Sequence, residues 1–156
     1  MSGTIVVGVD GSEASREALR FGAEEAALRE ARLVAVHAWL FIPPQPLGDP
    51  GMLAIPAGDL AGQLSAENDA ASLAFDEAIA DALGADPSTP IDRRLVEGDA
   101  GEAIVAQSAE ADLVVVGSHG RSGLRAALLG SVSRHVVDHA RCPVVVVKSS
   151  GLAHES

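Results

Sequence analysis

Apolar runs alternate with amphipathic stretches along this chain. Five short runs rich in Val, Leu and Ile occupy residues 5–9, 33–39, 91–97, 112–116 and 143–147. Most of these runs are apolar on both faces, which is typical of buried strands, whereas the run at 91–97 alternates between apolar and polar positions. The pattern therefore predicts five strands in a sheet that is covered on both sides.

Four stretches between or after these runs repeat their apolar residues at helical spacing. The predicted inner faces are Ala14, Ala18, Phe21 and Leu28 in the first helix, Leu60, Leu64, Ala71, Phe75, Ala78 and Ala82 in the second, Ile104, Val105 and Ser108 in the third, and Val132, Val136 and Ala140 in the fourth. Ser12 is positioned to cap the first helix, and Asp99 with Glu102 has the spacing of a capping box for the third. Gly84 is predicted to end the second helix, whose whole stripe is interpreted as core packing.

Strands and helices that alternate in this way indicate parallel strands joined by right-handed crossovers. The expected fold class is α/β, a Rossmann-like doubly wound five-stranded parallel sheet of order 3-2-1-4-5 with helices on both faces. We expect a single domain over residues 1–150. Within it, residues 41–62 form a Pro- and Gly-rich variable loop, and residues 151–156 form a polar tail.

Composition narrows the classes of function. The net charge of −11 argues against nonspecific nucleic-acid binding, in which neutralisation of phosphates supplies most of the affinity. The first residues lack the pattern of a signal peptide, and the apolar stretch at 33–42 is too short to span a bilayer. The single cysteine, Cys142, forms no internal disulfide. We expect a cytoplasmic protein that binds neither nucleic acid nor a membrane.

The segment 117–133, which follows the fourth predicted strand, contains arginines and no carboxylate, although the chain as a whole is acidic. Ligands of doubly wound folds bind beyond the carboxyl ends of the strands, and phosphates bind to backbone N–H groups at glycines and at helix N-termini. We therefore expect a phosphate cradle here, although on charge alone a solvated loop is an equal alternative. The groups expected to hold phosphate are the backbone at Gly117, Gly120 and Gly130, the hydroxyls of Ser131 and Ser133, and the side chains of Arg121 and Arg125.

Two better-known phosphate motifs are absent, because the chain has no GxxxxGK[ST] and no GxGxxG after its first strand. The spacing of Gly117, Gly120, Gly130 and Ser131 resembles the G-x2-G-x9-G-[ST] motif of ATP-binding universal stress proteins. The segments IVVGVDGS at 5–12, VEGDAGEAI at 96–104 and LLGSVSRHVVDHARCPVVVVK at 128–148 are similar to this family as well.

The resemblance implies a nucleotide site at the carboxyl ends of the strands. Its implied members are Gly8, Val9 and Asp10 beside the adenosine, Ala38 at the adenine, Gly98 beneath the nucleotide, and Gly117, Ser118, His119, Gly120, Arg121, Arg125, Gly130, Ser131, Val132 and Ser133 around the phosphates. It also implies ATP and Mg²⁺ as cofactors and a homodimer formed through the last strand, from Pro143 to Lys148. The expected function is that of a nucleotide-dependent stress regulator or sensor with slow hydrolysis. The alternatives are a slow ATPase or autophosphorylating enzyme, and a stress protein that binds AMP, cyclic AMP or no nucleotide.

Several of these side chains also have simpler interpretations. Asp10 is a candidate Mg²⁺ ligand, but Asp at a strand end is commonly a turn or capping residue. His119 is as well explained by a solvated loop as by contact with a ligand. His135 and His139 have the spacing of paired zinc ligands, but no third ligand is evident, so we expect no metal there. Cys142 is interpreted as a small core residue and not as a nucleophile.

Overall fold

Strands and helices alternate in the computed structural model, which describes residues 3–41, 57–119 and 129–149. The elements are β1 (Thr4–Gly8), α1 (Glu13–Arg29), β2 (Arg32–Trp39), α2 (Ala57–Leu83), β3 (Ile91–Glu97), α3 (Ala100–Ser108), β4 (Leu113–Gly117), α4 (Ser131–His139) and β5 (Val144–Val147). Each strand begins and ends within one residue of the run that predicted it. The strand predictions are therefore confirmed.

The described strands form one parallel sheet of order β3-β2-β1-β4-β5. The expected fold class is thus confirmed, with β3 and β5 at the two edges. The chain winds from β1 to β2 on one side and later returns to the other side of β1 as β4. Ligands of such folds bind where the winding reverses, which here is the carboxyl edge between β1 and β4.

The two faces of the sheet carry separate cores, because alternate residues of a strand point to opposite faces. On one face α1 and α2 pack over Ile5, Val7, Leu33, Ala35, Leu113 and Val115. On the other face α3 and α4 pack over Val6, Val34, Val36, Val114 and Val116. Helices therefore cover both faces, as the apolar runs predicted.

The predicted helix ends are also confirmed. The Ser12 Oγ accepts a hydrogen bond from the Ser15 N–H at 3.2 Å at the start of α1. The Asp99 Oδ1 accepts one from the Glu102 N–H at 2.9 Å at the start of α3. Helix α2 ends at Leu83, and Gly84 follows with a φ of 85°, a conformation that favours glycine.

The predicted inner face of α1 is partly wrong. Ala14 and Ala18 are buried, but Leu28 is 79% exposed. The buried face continues instead through Leu19, Gly22 and Ala26. Gly22 belongs there because a Cβ at this position would collide with Cγ2 of Val7. Small residues bring α1 close to the sheet, and hydrophobicity alone does not reveal that requirement.

Helix α2 corrects two further expectations. It begins at Ala57, inside the segment predicted to be a loop at 41–62, and only its later turns pack in the core. Phe75 is fully buried, whereas Leu60 is 37% exposed and nearly all side chains from 59 to 70 are exposed. The remainder of the predicted loop, residues 42–56, lies outside the described residues, as does the polar tail.

Length explains the exposed half of α2. Its 27 residues make a helix of about 40 Å, whereas the eight residues of β2 extend about 26 Å. The Arg20 side chain, in the middle of α1, donates to the carbonyl of Ala82 near the end of α2. This contact fixes the C-terminal part of α2 against α1, so its first turns extend past the carboxyl edge of the sheet. Within the described residues, no helix is both long and apolar enough to cross a membrane.

Candidate functional site

A cleft opens at the carboxyl edge of the sheet, above β1, β2 and β4 and beside the N-termini of α3 and α4. It contains about 660 Å³ of empty space, a volume that includes open solvent. Its lining consists of Gly8, Val9, Asp10, Ser15, Val36, Ala38, Ala100, Ile104, Val116, Gly117, His119, Gly130, Ser131, Val132 and Ser133. The position agrees with the winding reversal between β1 and β4.

The floor of the cleft is apolar. Val36, Val116 and Ile104 belong to the core on the α3 and α4 face, and each reaches the cleft at its upper end. Gly8 is part of this floor, and a Cβ on it would lie 2.6 Å from Cδ1 of Ile104. The glycine thus leaves room for Ile104 beneath the cleft. An apolar floor of this kind suits an aromatic ring.

The turn from β1 to α1 brings Asp10 to the rim of the cleft. Its Oδ1 accepts a hydrogen bond from the Ser12 N–H at 2.9 Å, and its own N–H donates to the Ser15 Oγ at 3.3 Å. The turn interpretation of Asp10 is therefore correct for one of its oxygens. The second carboxylate oxygen gives the rim a negative charge, and Asp10 is the only acidic residue among the described residues of the lining.

The N-terminus of α4 differs from those of α1 and α3. Its N-cap, Gly130, has no side-chain cap hydrogen bond, although the helix begins directly at the cleft with Ser131. The first N–H groups of a helix have no partner inside the helix and give that end a partial positive charge. Among the described residues no side-chain oxygen caps these groups where they meet the cleft, so this end can attract an anion.

Two of the groups expected to bind phosphate are already engaged. The Gly130 N–H donates to the Ser118 carbonyl at 2.8 Å. The Ser133 hydroxyl is buried and lies 3.2 Å from the Ser118 carbonyl and 3.0 Å from the Gly130 carbonyl. In this structure the Gly130 amide and the Ser133 hydroxyl are bonded to protein carbonyls, and their expected contact with phosphate stays a prediction. The amides of Ser131 and Val132 are the better placed donors.

Ser118 connects the end of β4 to β5 by a hydrogen bond and does not line the cleft. Its N–H donates to the Val147 carbonyl at 2.8 Å, and it is 2% exposed. Its Oγ is 2.9 Å from Nδ1 of His119, which does line the cleft and is 7% exposed. The Ser12 hydroxyl donates to the His119 carbonyl at 3.3 Å. His119 is thus not a solvated loop residue, since it is 7% exposed and both its carbonyl and its ring are hydrogen-bonded within the protein.

Gly117 lines the cleft, and packing within the protein gives a reason for its lack of a side chain that the sequence did not predict. A Cβ at Gly117 would lie 2.8 Å from the carbonyl carbon of Ala14 and 2.9 Å from the backbone nitrogen of Ser15. Both atoms belong to the backbone of α1. The close approach of α1 to the end of β4 is a sufficient reason for glycine here, and the expected approach of a phosphate to Gly117 stays a prediction.

The cleft brings together ten of the predicted site residues, namely Gly8, Val9, Asp10, Ala38, Gly117, His119, Gly130, Ser131, Val132 and Ser133. Ser118 and Gly98 stand apart from its lining. Gly98 has a φ of 141°, which explains the glycine, and its N–H donates to the Trp39 carbonyl at 2.8 Å. Gly120, Arg121 and Arg125 lie outside the described residues.

Five residues of the lining were not predicted from the sequence, namely Ser15, Val36, Ala100, Ile104 and Val116. Four of them are small or aliphatic and belong to elements whose core role was predicted. Position is a signal for Ala100, which begins α3, and for Val116, which is next to the carboxyl end of β4, whereas Val36 and Ile104 lie inside β2 and α3 and carry no such signal. Ser15 follows the cap residue Ser12 by three positions, and this spacing suggested a helix start but not a cleft residue.

The described residues give little support for a metal held by the protein alone. No group of three or more His, Cys, Asp or Glu side chains in the described ranges could hold an ion. His135 and His139 stack with ring centroids 4.4 Å apart, and Nδ1 of His139 donates to the His135 carbonyl. The pair is thus a contact within a helix, and a third ligand is missing from the described surroundings.

Cys142 is half-buried against the α3 and α4 core. Burial, and secondarily the negative charge of Asp112, raise the pKa of its thiol, while a backbone hydrogen bond at Val114 opposes them. A raised pKa lowers the thiolate fraction at neutral pH, and the thiolate is the reactive form. These facts support the interpretation of Cys142 as a core residue.

Comparison with known proteins agrees with the fold. The model of the universal stress protein family matches residues 1–148, and the chain belongs to that family. A universal stress protein of Mycobacterium tuberculosis is 39% identical over 94% of this chain, and the match covers 45% of that relative. A universal stress protein of Methanocaldococcus jannaschii is 32% identical over 92% of this chain and 81% of its own length.

A crystal structure of a universal stress protein in complex with cAMP is similar as well. It is 30% identical, the match covers 96% of this chain and 98% of that one, and the TM-score is 0.56. The chain spans less than half the length of the mycobacterial relatives that it matches.

Proposed function

We propose that this chain binds an adenine nucleotide in the cleft between β1 and β4, and that it acts as a nucleotide-dependent stress regulator or sensor. The observation that carries the proposal is the N-terminus of α4, which has no side-chain cap and lies beside an apolar floor. An apolar floor suits a base, and an uncapped helix end suits the phosphates attached to it. The similarity to a universal stress protein that was crystallised with cAMP supports an adenine ligand.

We propose ATP as the ligand, because the sequence keeps the G-x2-G-x9-G-[ST] spacing of the ATP-binding subgroup from Gly117 to Ser131. In this arrangement the amides of Ser131 and Val132 bind the phosphates, and Arg121 and Arg125 add positive charge. Mg²⁺ fits only as an ion bound to the phosphates, since Asp10 is the one carboxylate of the described lining.

Hydrolysis is expected to be slow. A general base must lie within hydrogen-bond reach of the attacking water. In the described lining the only carboxylate is that of Asp10, which already accepts a hydrogen bond from Ser12. The Nδ1 atom of His119 is taken by Ser118. We therefore propose that the bound nucleotide is a signal and not a rapidly consumed substrate.

Isothermal titration with ATP, ADP, AMP and cyclic AMP, each with and without Mg²⁺, tests the proposal. Mass spectrometry of the small molecules released from freshly purified protein provides an independent measurement. The proposal expects ATP to bind more tightly than AMP, and Mg²⁺ to increase that difference. If the protein releases no nucleotide and none of the four ligands produces heat, the proposed function is wrong.

The second candidate is a protein that prefers cyclic AMP or AMP, and the complex of the 30% identical relative favours it. A ligand with one phosphate needs the apolar floor and one helix end but not a long cradle. The same titration separates the two candidates, because tighter binding of cyclic AMP than of ATP would support the second.

We further propose that the chain forms a homodimer through β5. This strand is an edge of the described sheet, and its residues 144–147 are four consecutive valines. An exposed apolar edge strand offers unpaired backbone groups to a second strand. Size-exclusion chromatography with light scattering measures the mass directly, and a monomer at micromolar concentration would contradict the proposal.

A further inference from the structure

One side chain beyond the cleft contacts its rim from the opposite face of the sheet. In β2, Val36 and Ala38 line the cleft, so the residue between them, His37, points to the α1 and α2 face. The Nδ1 atom of His37 is 2.7 Å from the carbonyl oxygen of Val9. A carbonyl oxygen only accepts hydrogen bonds, so the Nδ1–H of His37 is the donor.

The carbonyl of Val9 belongs to the same peptide unit as the N–H of Asp10. That N–H donates to the Ser15 Oγ at 3.3 Å. A single peptide plane is therefore held at both ends, by His37 at its oxygen and by Ser15 at its nitrogen. Because a peptide unit is planar and rigid, fixing both ends also fixes the direction in which Asp10 leaves the strand.

The His37 ring is itself held in place. It packs against Phe75 of α2, with ring centroids 5.4 Å apart, and Phe75 is fully buried. The guanidinium of Arg93 lies 4.9 Å from the centroid of Phe75 and forms an ion pair of 2.6 Å with Asp76. Phe75 of α2, which is itself packed against Arg93 of β3, therefore holds the imidazole in place. The imidazole in turn holds Val9 by one hydrogen bond.

We propose that His37 is a positioning residue for nucleotide binding, and that it acts by holding the Val9–Asp10 peptide from the far side of the sheet. The inference rests on the proposed function, since it assigns a determinant of affinity to the same cleft. It identifies a residue that is not itself part of the cleft lining but holds the lining residue Val9, and it links the position of α2 to the rim where Asp10 stands.

Two substitutions separate the hydrogen bond from the packing. His37→Phe keeps a ring against Phe75 and removes the donor. His37→Asn removes the ring but places an amide N–H donor close to the position of Nδ1. We expect the dissociation constant for the nucleotide to rise about two- to tenfold in His37→Phe, the range of one lost hydrogen bond, and to stay close to the wild-type value in His37→Asn.

Thermal stability is expected to follow the opposite order. His37→Asn loses the aromatic packing and should melt below His37→Phe. A residue that is merely structural would weaken binding in proportion to the loss of stability. The proposal is supported if His37→Phe is the more stable variant and yet binds the nucleotide more weakly than His37→Asn. It is overturned if the affinity falls with the melting temperature in both variants.

Hydrogen exchange of the nucleotide-free protein provides a readout that does not depend on binding. Backbone amides of residues 10–12 should exchange faster in His37→Phe than in wild type, and at the wild-type rate in His37→Asn. Unchanged exchange in His37→Phe overturns the inference. If the wild-type chain binds no adenine nucleotide, the proposed function fails, and faster exchange confined to His37→Phe still supports the hold on the Val9–Asp10 peptide.

Discussion

Gly117→Ala tests why glycine stands at the end of β4. The new Cβ would lie 2.8 Å from both the carbonyl carbon and the Cβ of Ala14 and 2.9 Å from the nitrogen of Ser15. Ordinary contacts between carbon atoms are about 3.5–4.0 Å, so α1 or the end of β4 must move by roughly 0.7 Å or more. Two of the three atoms are backbone, which cannot turn aside as a side chain does.

Overpacking of this kind costs about 1–3 kcal/mol, which in a chain of this size lowers the melting temperature by about 2–12 °C. The assay is thermal unfolding of the nucleotide-free protein, followed by circular dichroism. Without nucleotide, a loss of stability cannot come from a lost phosphate contact. It therefore reports only the close approach of α1 to Gly117.

Gly62→Ala is the matched control, because Gly62 is an exposed residue inside α2 and a Cβ there meets nothing within 4 Å. Replacing an unhindered helical glycine by alanine stabilises a protein by about 0.5–1 kcal/mol. The same chemical change should therefore raise the melting temperature at residue 62 and lower it at residue 117. Equal melting temperatures for Gly117→Ala and the wild type would refute the packing argument.

Three other predictions concern the cleft, the thiol and a helix cap. Gly8→Ala should weaken nucleotide binding more than it weakens folding, because its Cβ would press on the mobile Cδ1 of Ile104 and displace that side chain toward the cleft; adding Ile104→Val should restore much of the affinity measured by titration. Alkylation of Cys142 by iodoacetamide should be slow at neutral pH and rise toward alkaline pH, because its pKa is raised, and Asp112→Asn should accelerate it at a fixed pH by removing one cause of the shift. Asp99→Ala removes the cap of α3 and should lower the free energy of unfolding by about 1 kcal/mol, measured in urea.

A specific result would contradict each of these three predictions. Full affinity in Gly8→Ala would mean that Ile104 moves elsewhere. A slower reaction of Cys142 in Asp112→Asn would reverse the sign assigned to that carboxylate. An unchanged urea midpoint in Asp99→Ala would mean that the bond to Glu102 contributes nothing to stability.

The strands and the helix caps were predictable from sequence because each depends on local chemistry. A run such as 113–116 is apolar at every position, which leaves few structures other than a buried strand. Ser12 and Asp99 satisfy N–H groups three residues away, so the signal and the contact lie in the same short segment. The doubly wound class then followed from the right-handed crossovers, and 3-2-1-4-5 is one of the common strand orders of that class.

What the sequence did not show depends on contacts between distant segments. Leu28 fits the predicted stripe of α1 yet is 79% exposed, because the buried face of the helix runs instead through Gly22 and Ala26. Gly22 fits no stripe of apolar residues, although it packs on Val7. The role of Gly117 could not be predicted, because it depends on where α1 crosses β4. His37 and Val9 are separated by 28 residues, and only the register of the sheet brings them together.

The chain contains one tryptophan and no tyrosine. That tryptophan, Trp39, ends β2 directly after the cleft residue Ala38 and before Leu40, which is 65% exposed. Ultraviolet emission from this protein therefore originates almost wholly at one corner of the molecule. Filling of the neighbouring cleft can be followed there by fluorescence without an attached dye, and events at the opposite end of the sheet contribute little to the signal.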